Sequence, residues 1–344
     1  MRKNILKYLL VSLVFLFTTN CEEALDVEIY SELNPQSSSE EITMSILFNA
    51  YANAQLAGFD GGIQRYYFSA MTSGESWNEG GSIARRWNEL RNFNWTSNHS
   101  DLGLVWGVIY EGIRDANTLL ENVGEESDFQ IQVRAEAKFL RGWLYFTLYD
   151  WFGPVPLRTS TLDEVHLGKA SDEELRNQIE KDLIEAAEVL PIEAPEYGRA
   201  TKGAAYGLLT KFYLNTKQWQ KSADMAQEIM DMNIYTLLPE YADIFDLQNE
   251  GNSELIWVLA RKSPTVWGQS GQYITAISYP PDYPFEYPNQ QAYGAKTYFF
   301  DQFLDSFGEN DVRGNHFIRS YLPRGSSDTV EFYGNDMSIC AIYS

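Results

Sequence analysis

A chain of 344 residues, 44% hydrophobic and 22% charged, can bury a sizeable core as one large domain or two ordinary ones. Its 48 acidic against 26 basic residues give a formal charge of −22, a surface that repels phosphate backbones and sets nucleic acid aside as a partner. Two cysteines at opposite ends, Cys21 and Cys340, and three scattered histidines, His99, His166 and His316, have no ligand spacing, so neither metal nor cofactor is expected.

The first predicted element is a leader. "MRKNILKYLLVSLVFLFTTNC" has a basic start and an apolar run from Tyr8 to Phe17. A transmembrane helix needs about 20 apolar residues, so this shorter run reads as an export signal over residues 1–20. Cys21 follows directly, then Glu22 and Glu23, an order that resembles a bacterial lipoprotein junction whose thiol is acylated. Thr18, Thr19 and Asn20 depart from the usual residues before such a cysteine, and the alternative is an ordinary secretory signal cleaved nearby. Acyl chains contribute about 0.8 kcal/mol per buried CH₂, enough for several of them to hold a protein on a membrane. Residues 21–38, polar and ending in Pro35 and a serine run, read as a tether.

Helix signatures then recur. Ser38 with Glu41 forms a capping box before a helix whose Ile42, Ile46, Ala50 and Ala54 share a face. After Asp101 the stripe is Trp106, Ile109, Ile113, Ala116 and Leu120. Ser127 with Gln130 caps the next helix, "RAEAKFLRGWLYFTLYDWFGPVPL", where Phe139, Trp143, Phe146 and Asp150 keep the 3.6 period and Gly153 and Pro154 end it. Its aromatic density could suit a membrane, a stacking strip or a core. Arg134, Glu136, Lys138 and Arg141 make its first half amphipathic, which favours the core of a helical protein.

Ser171 with Glu174 launches Leu175, Ile179, Leu183, Ala186 and Leu190, stopped by Pro191. "TKGAAYGLLTKFYLN" and "WQKSADMAQEIMDM" form a hairpin around Thr216 and Lys217, with Ala204, Ala205, Gly207, Ala223 and Ala226 allowing close approach. Such pairs are like tetratricopeptide repeats, although no exact 34-residue period is legible. A short strand is expected at Leu255–Leu259. Of the tryptophans, Trp106, Trp143, Trp151 and Trp219 are expected in the core. The expected fold is therefore mainly α, a tetratricopeptide-like helical repeat core with long irregular aromatic loops and minor β.

Two stretches lack helical period: "SGESWNEGGSIARRWNELRNFNW", and the proline- and tyrosine-rich run from Ser263 to Gly294. Loops of this kind concentrate function. The candidate ligand contacts are Trp77 in the first stretch and Trp267, Tyr279, Tyr283 and Tyr287 in the second, with Glu75, Asn78 and Gln272 as hydrogen-bonding partners. For each ring the bland alternative is packing of a loop onto the helices. Trp87 and Trp95 are weaker candidates.

The lipoprotein-like start at Cys21, "WGVIYEGIRDANTLLENV", "RAEAKFLRGWLYFTLYDWFGPVPL", "RATKGAAYGLLTKFYLN", "ADMAQEIMDMNIYTLLPEYADIFDLQNEGNSELIWVL" and the Asp311–Arg313 segment together resemble the SusD/RagB family of nutrient-binding outer-membrane lipoproteins. The resemblance covers nearly all of residues 39–344. It implies a surface-exposed, lipid-anchored protein that captures glycan, or in some branches peptide, for a TonB-dependent (SusC-like) transporter. Family members continue with further helices beyond the point where this sequence stops at "CAIYS", so the resemblance implies that late helices covering the repeat-like core are missing. Two other classes stay open. A glycoside hydrolase needs a carboxylate pair about 5–10 Å apart, and with 48 acids some pair always looks suggestive. No Gly-x-Ser-x-Gly elbow or His-Glu-x-x-His helix appears, and an enzyme is not expected. The third class is a helical scaffold that binds another protein alone.

Overall fold

Helix α1, Glu40–Gly58, opens with Glu40 and Glu41, whose charges suit the positive end of the helix dipole. Its inward face is Leu47, Ala50, Tyr51 and Ala54, all buried. The expected face was rotated: Ile42 is 46% exposed, because the i, i+3, i+4, i+7 set starts at Leu47. The computed structural model describes residues 40–58, 69–78, 87–260, 279–285 and 297–340, with 40–344 in one compact unit. The signal, the tether, Ser38 and Cys21 lie outside the described residues.

Strand β1, Ser76–Asn78, comes next, then α2, Ser100–Asn122, and α3, Asp128–Phe152. α2 buries Val105, Ile109, Ile113, Ala116 and Leu119, leaving Trp106 and Leu120 on the flanks of that stripe. α3 starts at the Ser127–Gln130 capping box, with both reciprocal bonds made. It ends at Gly153, whose φ of 66° is a conformation that side chains with a Cβ rarely adopt. Between Val133 and Leu148 almost every residue of α3 is buried, which places the aromatic stretch in a protein core. Among the described residues no helix is long and apolar enough to cross a membrane.

α4, Asp172–Val189, begins at the Ser171–Glu174 capping box and buries Leu175, Ile179, Leu183 and Ala186, with Leu190 at its end. α5, Lys202–Asn215, and α6, Trp219–Asp231, make the expected hairpin around Lys217, which adopts φ 61°. Each helix packs on the next from α1 to α6, and α1 also touches α3, the stacking expected of a repeat-like core. α3 and α4 approach closely at Gly142, where a Cβ would sit 2.9 Å from Leu183 Cγ. Each fully buried Leu or Phe in this stack contributes roughly 1.5–3 kcal/mol.

Charge inside the stack departs from expectation. Glu136 and Arg141 are among the residues that make the first half of α3 amphipathic in sequence, yet they are 0% and 8% exposed. Glu136 accepts from Tyr51 Oη at 2.7 Å and from Arg199 Nε at 3.0 Å, linking α1, α3 and the α4–α5 connection. The Tyr51 hydroxyl accepts in turn from the Ala200 N–H at 2.8 Å. Arg141 forks onto Asp182 with two 2.8 Å bonds and reaches Asn117 Oδ1 at 2.8 Å, tying α3 to α4 and α2. Buried charge persists because every partner is present.

Other expectations also shift. Leu255–Leu259 forms no strand; Trp257 anchors it, its ring edge-on to Phe139 and Trp143 at 4.9 Å and its Nε1 donating to Gly198 O. Trp219 is 60% exposed and Ala223 is exposed, because α6 turns Ser222 inward.

The remaining elements are short: β2, Thr297–Phe299; α7, Asp301–Leu304; β3, Phe317–Ile318; β4, Ser320–Tyr321; β5, Val330–Glu331; and β6, Ile339–Cys340. β1 pairs antiparallel with β2, β3 with β6, and β4 with β5. Phe299 also bridges Ser338, so β2 touches both β1 and the start of β6.

Candidate functional site

β1 and β2 bring together residues more than 200 positions apart, with Trp77 opposite Tyr298. Alternation along a strand sends Trp77 to one face and Ser76 and Asn78 to the other. Trp77 is half-buried, its ring 5.2 Å from that of Tyr298 and tilted 38°. Its Nε1 donates to Asp336 O at 2.6 Å, which fixes the indole plane. Asp336 itself has φ 56°, a left-handed conformation that short polar side chains tolerate best. The Asp336 carboxylate accepts from the Asp301 N–H at 2.9 Å, and Asp301 accepts from the Gly334 and Asp336 N–H groups.

Behind Trp77 lies an aromatic cluster. Tyr279 sits 4.8 Å from Tyr283 and 5.0 Å from Phe285; Tyr283 sits 5.5 Å from Tyr321, which stacks near Phe332. Tyr321 donates to Asp282 at 2.8 Å, and burial together with that carboxylate pushes its phenol up to about 12. Burial likewise raises Tyr283.

A cavity of about 540 Å³ lies beside Asp336, the residue that anchors the Trp77 indole, and is lined among others by Glu75, Phe300, Gln302, Phe303, Ser306 and Asp336. Its volume falls within the range of small-molecule sites. Aromatic rings give apolar faces, and Glu75, Gln302 and Asp336 give acceptors, a combination suited to a neutral, hydroxyl-rich ligand. The carboxylates disfavour an anion. Among the described residues no group of three or more His, Cys, Asp or Glu is placed to hold a metal ion.

The structure therefore brings four of the sequence candidates, Glu75, Trp77, Tyr279 and Tyr283, to one region. Two candidates are corrected. Tyr279 is 0% exposed and forms the centre of the aromatic cluster, so its ring has no open face for a ligand. Asn78 is 2% exposed on the face opposite Trp77. Trp267, Tyr287 and Gln272 lie outside the described residues. Of the weaker candidates, Trp87 is buried, and Trp95 is 39% exposed beside Phe93. Sequence reasoning missed Tyr298, Tyr321, Phe332 and Asp336; for Tyr298 the signal was the aromatic run at residues 298–300, which has no legible partner.

A SusD-like family model, described as starch-binding and associating with outer membrane, matches residues 23–214. The chain belongs to the SusD-like family. It is 33% identical over 166 residues to the SusD-like protein P25 of Formosa agariphila, covering 45% of this chain and 31% of that one. It is 24% identical over 279 residues to the starch-binding protein SusD of Bacteroides thetaiotaomicron, covering 73% of this chain and 49% of that one. A laminarin-binding SusD-like protein of solved structure shares the fold, with a TM-score of 0.75 at 24% identity, over 89% of this chain and 72% of its own. The matched regions thus span 31% to 49% of the length of these curated relatives.

Proposed function

We propose that this SusD-like chain captures glycan at the cell surface and passes it, uncleaved, to a partner TonB-dependent outer-membrane transporter. The observation that carries the reading is the Trp77 platform beside an acidic, aromatic cavity, in a chain whose family is described as starch-binding. Pyranose C–H groups carry weak positive charge and lie against the negative face of an aromatic ring. Contacts of this kind are each worth about 1 kcal/mol, as in aromatic pairs, so a few of them hold cargo and still release it.

Trp77, Tyr283 and Glu75 contact the ligand in this reading, together with Trp267, Tyr287 and Gln272. The relatives that bind starch and laminarin make neutral glucans the first ligands to try. Cys21 is the lipidation site, which holds the protein on the outer membrane and leaves the soluble body free to meet its transporter.

The test is a screen of the purified chain against starch and laminarin oligosaccharides and against peptides, read by calorimetry, with a reducing-sugar assay on the same samples. The reading expects saturable glycan binding and no released reducing ends. Binding of peptides alone, or steady release of sugar, overturns it. Labelled fatty acid should enter the wild-type protein and not Cys21→Ser.

A further inference from the structure

A second cavity, of about 590 Å³, lies on the helical stack, away from the Trp77 sheet. Its wall is α2, which presents Trp106, Tyr110, Glu111 and Arg114 at helical spacing, and its roof is the segment between α3 and α4, with Arg158 and His166. Trp106 and Tyr110 are 5.2 Å apart, and Phe152 holds Trp106 by its edge at 5.1 Å.

The roof has no regular secondary structure, yet it is tied down along its length. Tyr145 Oη, at the heart of α3, donates to Arg158 O at 2.8 Å and accepts from Arg158 N at 2.7 Å. The Arg158 guanidinium then donates to the carbonyls of Glu164 and Val165 at 2.8 and 2.6 Å, which spends it on holding the loop's shape. Asp163 caps the N–H groups of Thr159 and Ser160, and Glu121 of α2 accepts from Ser160 Oγ, Thr161 N and Thr161 Oγ1. Tyr110 Oη donates to Pro156 O at 2.7 Å. These bonds hold the irregular segment in one shape, and a site fixed before its ligand arrives loses less entropy on binding.

We propose that this cleft is a second saccharide-binding site, in which Trp106 supplies the stacking face and Glu111, Arg114 and His166 bond hydroxyls. Arg114 is available because its side chain is 63% exposed and meets Asp115 through Nη2 at 3.3 Å. The cleft's volume suits a short stretch of chain. A polymer held at two places on one protein dissociates more slowly than from either alone, since the second contact forms at high effective concentration. Leu162 and Val165, 91% and 80% exposed at the rim, would suit a protein partner instead. The concave interior, mixing rings with hydrogen-bonding groups, favours sugar.

This inference rests on the glycan reading, and the experiment separates the two. The full chain is labelled with 5-fluorotryptophan, the Trp106 and Trp77 resonances are assigned by Trp106→Phe and Trp77→Phe, and maltohexaose and laminarihexaose are titrated in. One of the two sugars should shift the Trp106 resonance saturably, in Trp77→Ala as in the wild type. Arg114→Ala and His166→Ala, both at exposed positions, should weaken that titration at least fivefold. A Trp106 resonance that stays still while that of Trp77 moves overturns the second site and leaves the first. If neither moves with either sugar, both fall.

Discussion

The helical stack and the aromatic sheet region are held together by different means. In the stack, continuous stripes of Leu, Ala and Val from α1 to α5 enclose two charge networks whose partners come from three segments each. In the sheet region, strands of two or three residues make the cross-links, β1–β2 joining segments far apart in sequence, and stability rests on ring-to-ring contacts around Tyr279, Tyr298 and Phe332. One part is a rigid scaffold specified locally; the other is a surface assembled from distant pieces, where a ring such as Trp77 is only partly covered. Damage to the first should unfold the protein, whereas damage to the second should change what it holds.

The largest expected effect is at Glu136. Glu136→Ala leaves Arg199 and the Tyr51 hydroxyl buried without their acceptor, and breaking a buried pair in this way costs about 3–5 kcal/mol. Urea unfolding followed by far-ultraviolet circular dichroism measures it; a loss below about 1 kcal/mol would mean the network is not a keystone of the stack.

Next is the contact of α3 with α4 at Gly142. Gly142→Val forces atoms into Leu183 and should destabilise by about 1–3 kcal/mol through overpacking. The same method with an unchanged midpoint would show that α3 and α4 can separate freely.

Acid and alkali then probe the two kinds of polar group. Burial opposes ionisation of Glu121, but bonds from Ser160 and Thr161 outweigh it and hold its carboxyl below the usual range. The Tyr149 hydroxyl and Arg176 do the same for Asp172. Carboxyls depressed in the fold stabilise it above their unfolded values, about 4, and this is lost as pH falls through the folded values. Burial raises the phenols of Tyr51, Tyr110 and Tyr145, so their contribution is present below about pH 10 and is lost as pH rises beyond it. Thermal unfolding across pH should therefore show a plateau from about 5 to 9, with falls on both sides; a steady slope through neutrality would contradict this assignment.

Smallest of all, Trp219→Ser should move the unfolding midpoint by no more than about 0.5 kcal/mol, because the ring is 60% exposed. A larger loss would mean that α6 is covered in solution.

The same contrast explains what could be read in advance. Ser127, Ser171 and the Leu175–Leu190 stripe were legible because a cap and a helical face are written within a few residues. Ile42, Trp219 and Ala223 were misplaced because a stripe's spacing does not say which side has a neighbour. The burial of Glu136 and Arg141 was not legible because their partners, Arg199 and Asp182, are 63 and 41 positions away. The pairing of Trp77 with Tyr298 spans a greater distance still, and no period announces it. Glu75, Trp77 and Tyr283 could be named as rings and acceptors in loops, whereas the enclosure of Tyr279 and Asn78 depends on contacts that only the fold supplies.

The central claim is that Trp77 is a platform for cargo rather than part of the scaffold. Calorimetric titration of Trp77→Ala with whichever glucan oligosaccharide binds the wild type, alongside its thermal unfolding, tests that claim directly. The account predicts at least a tenfold loss of affinity, about 1.4 kcal/mol, with the helical unfolding transition in place. Unchanged affinity, or a lost transition, would contradict it.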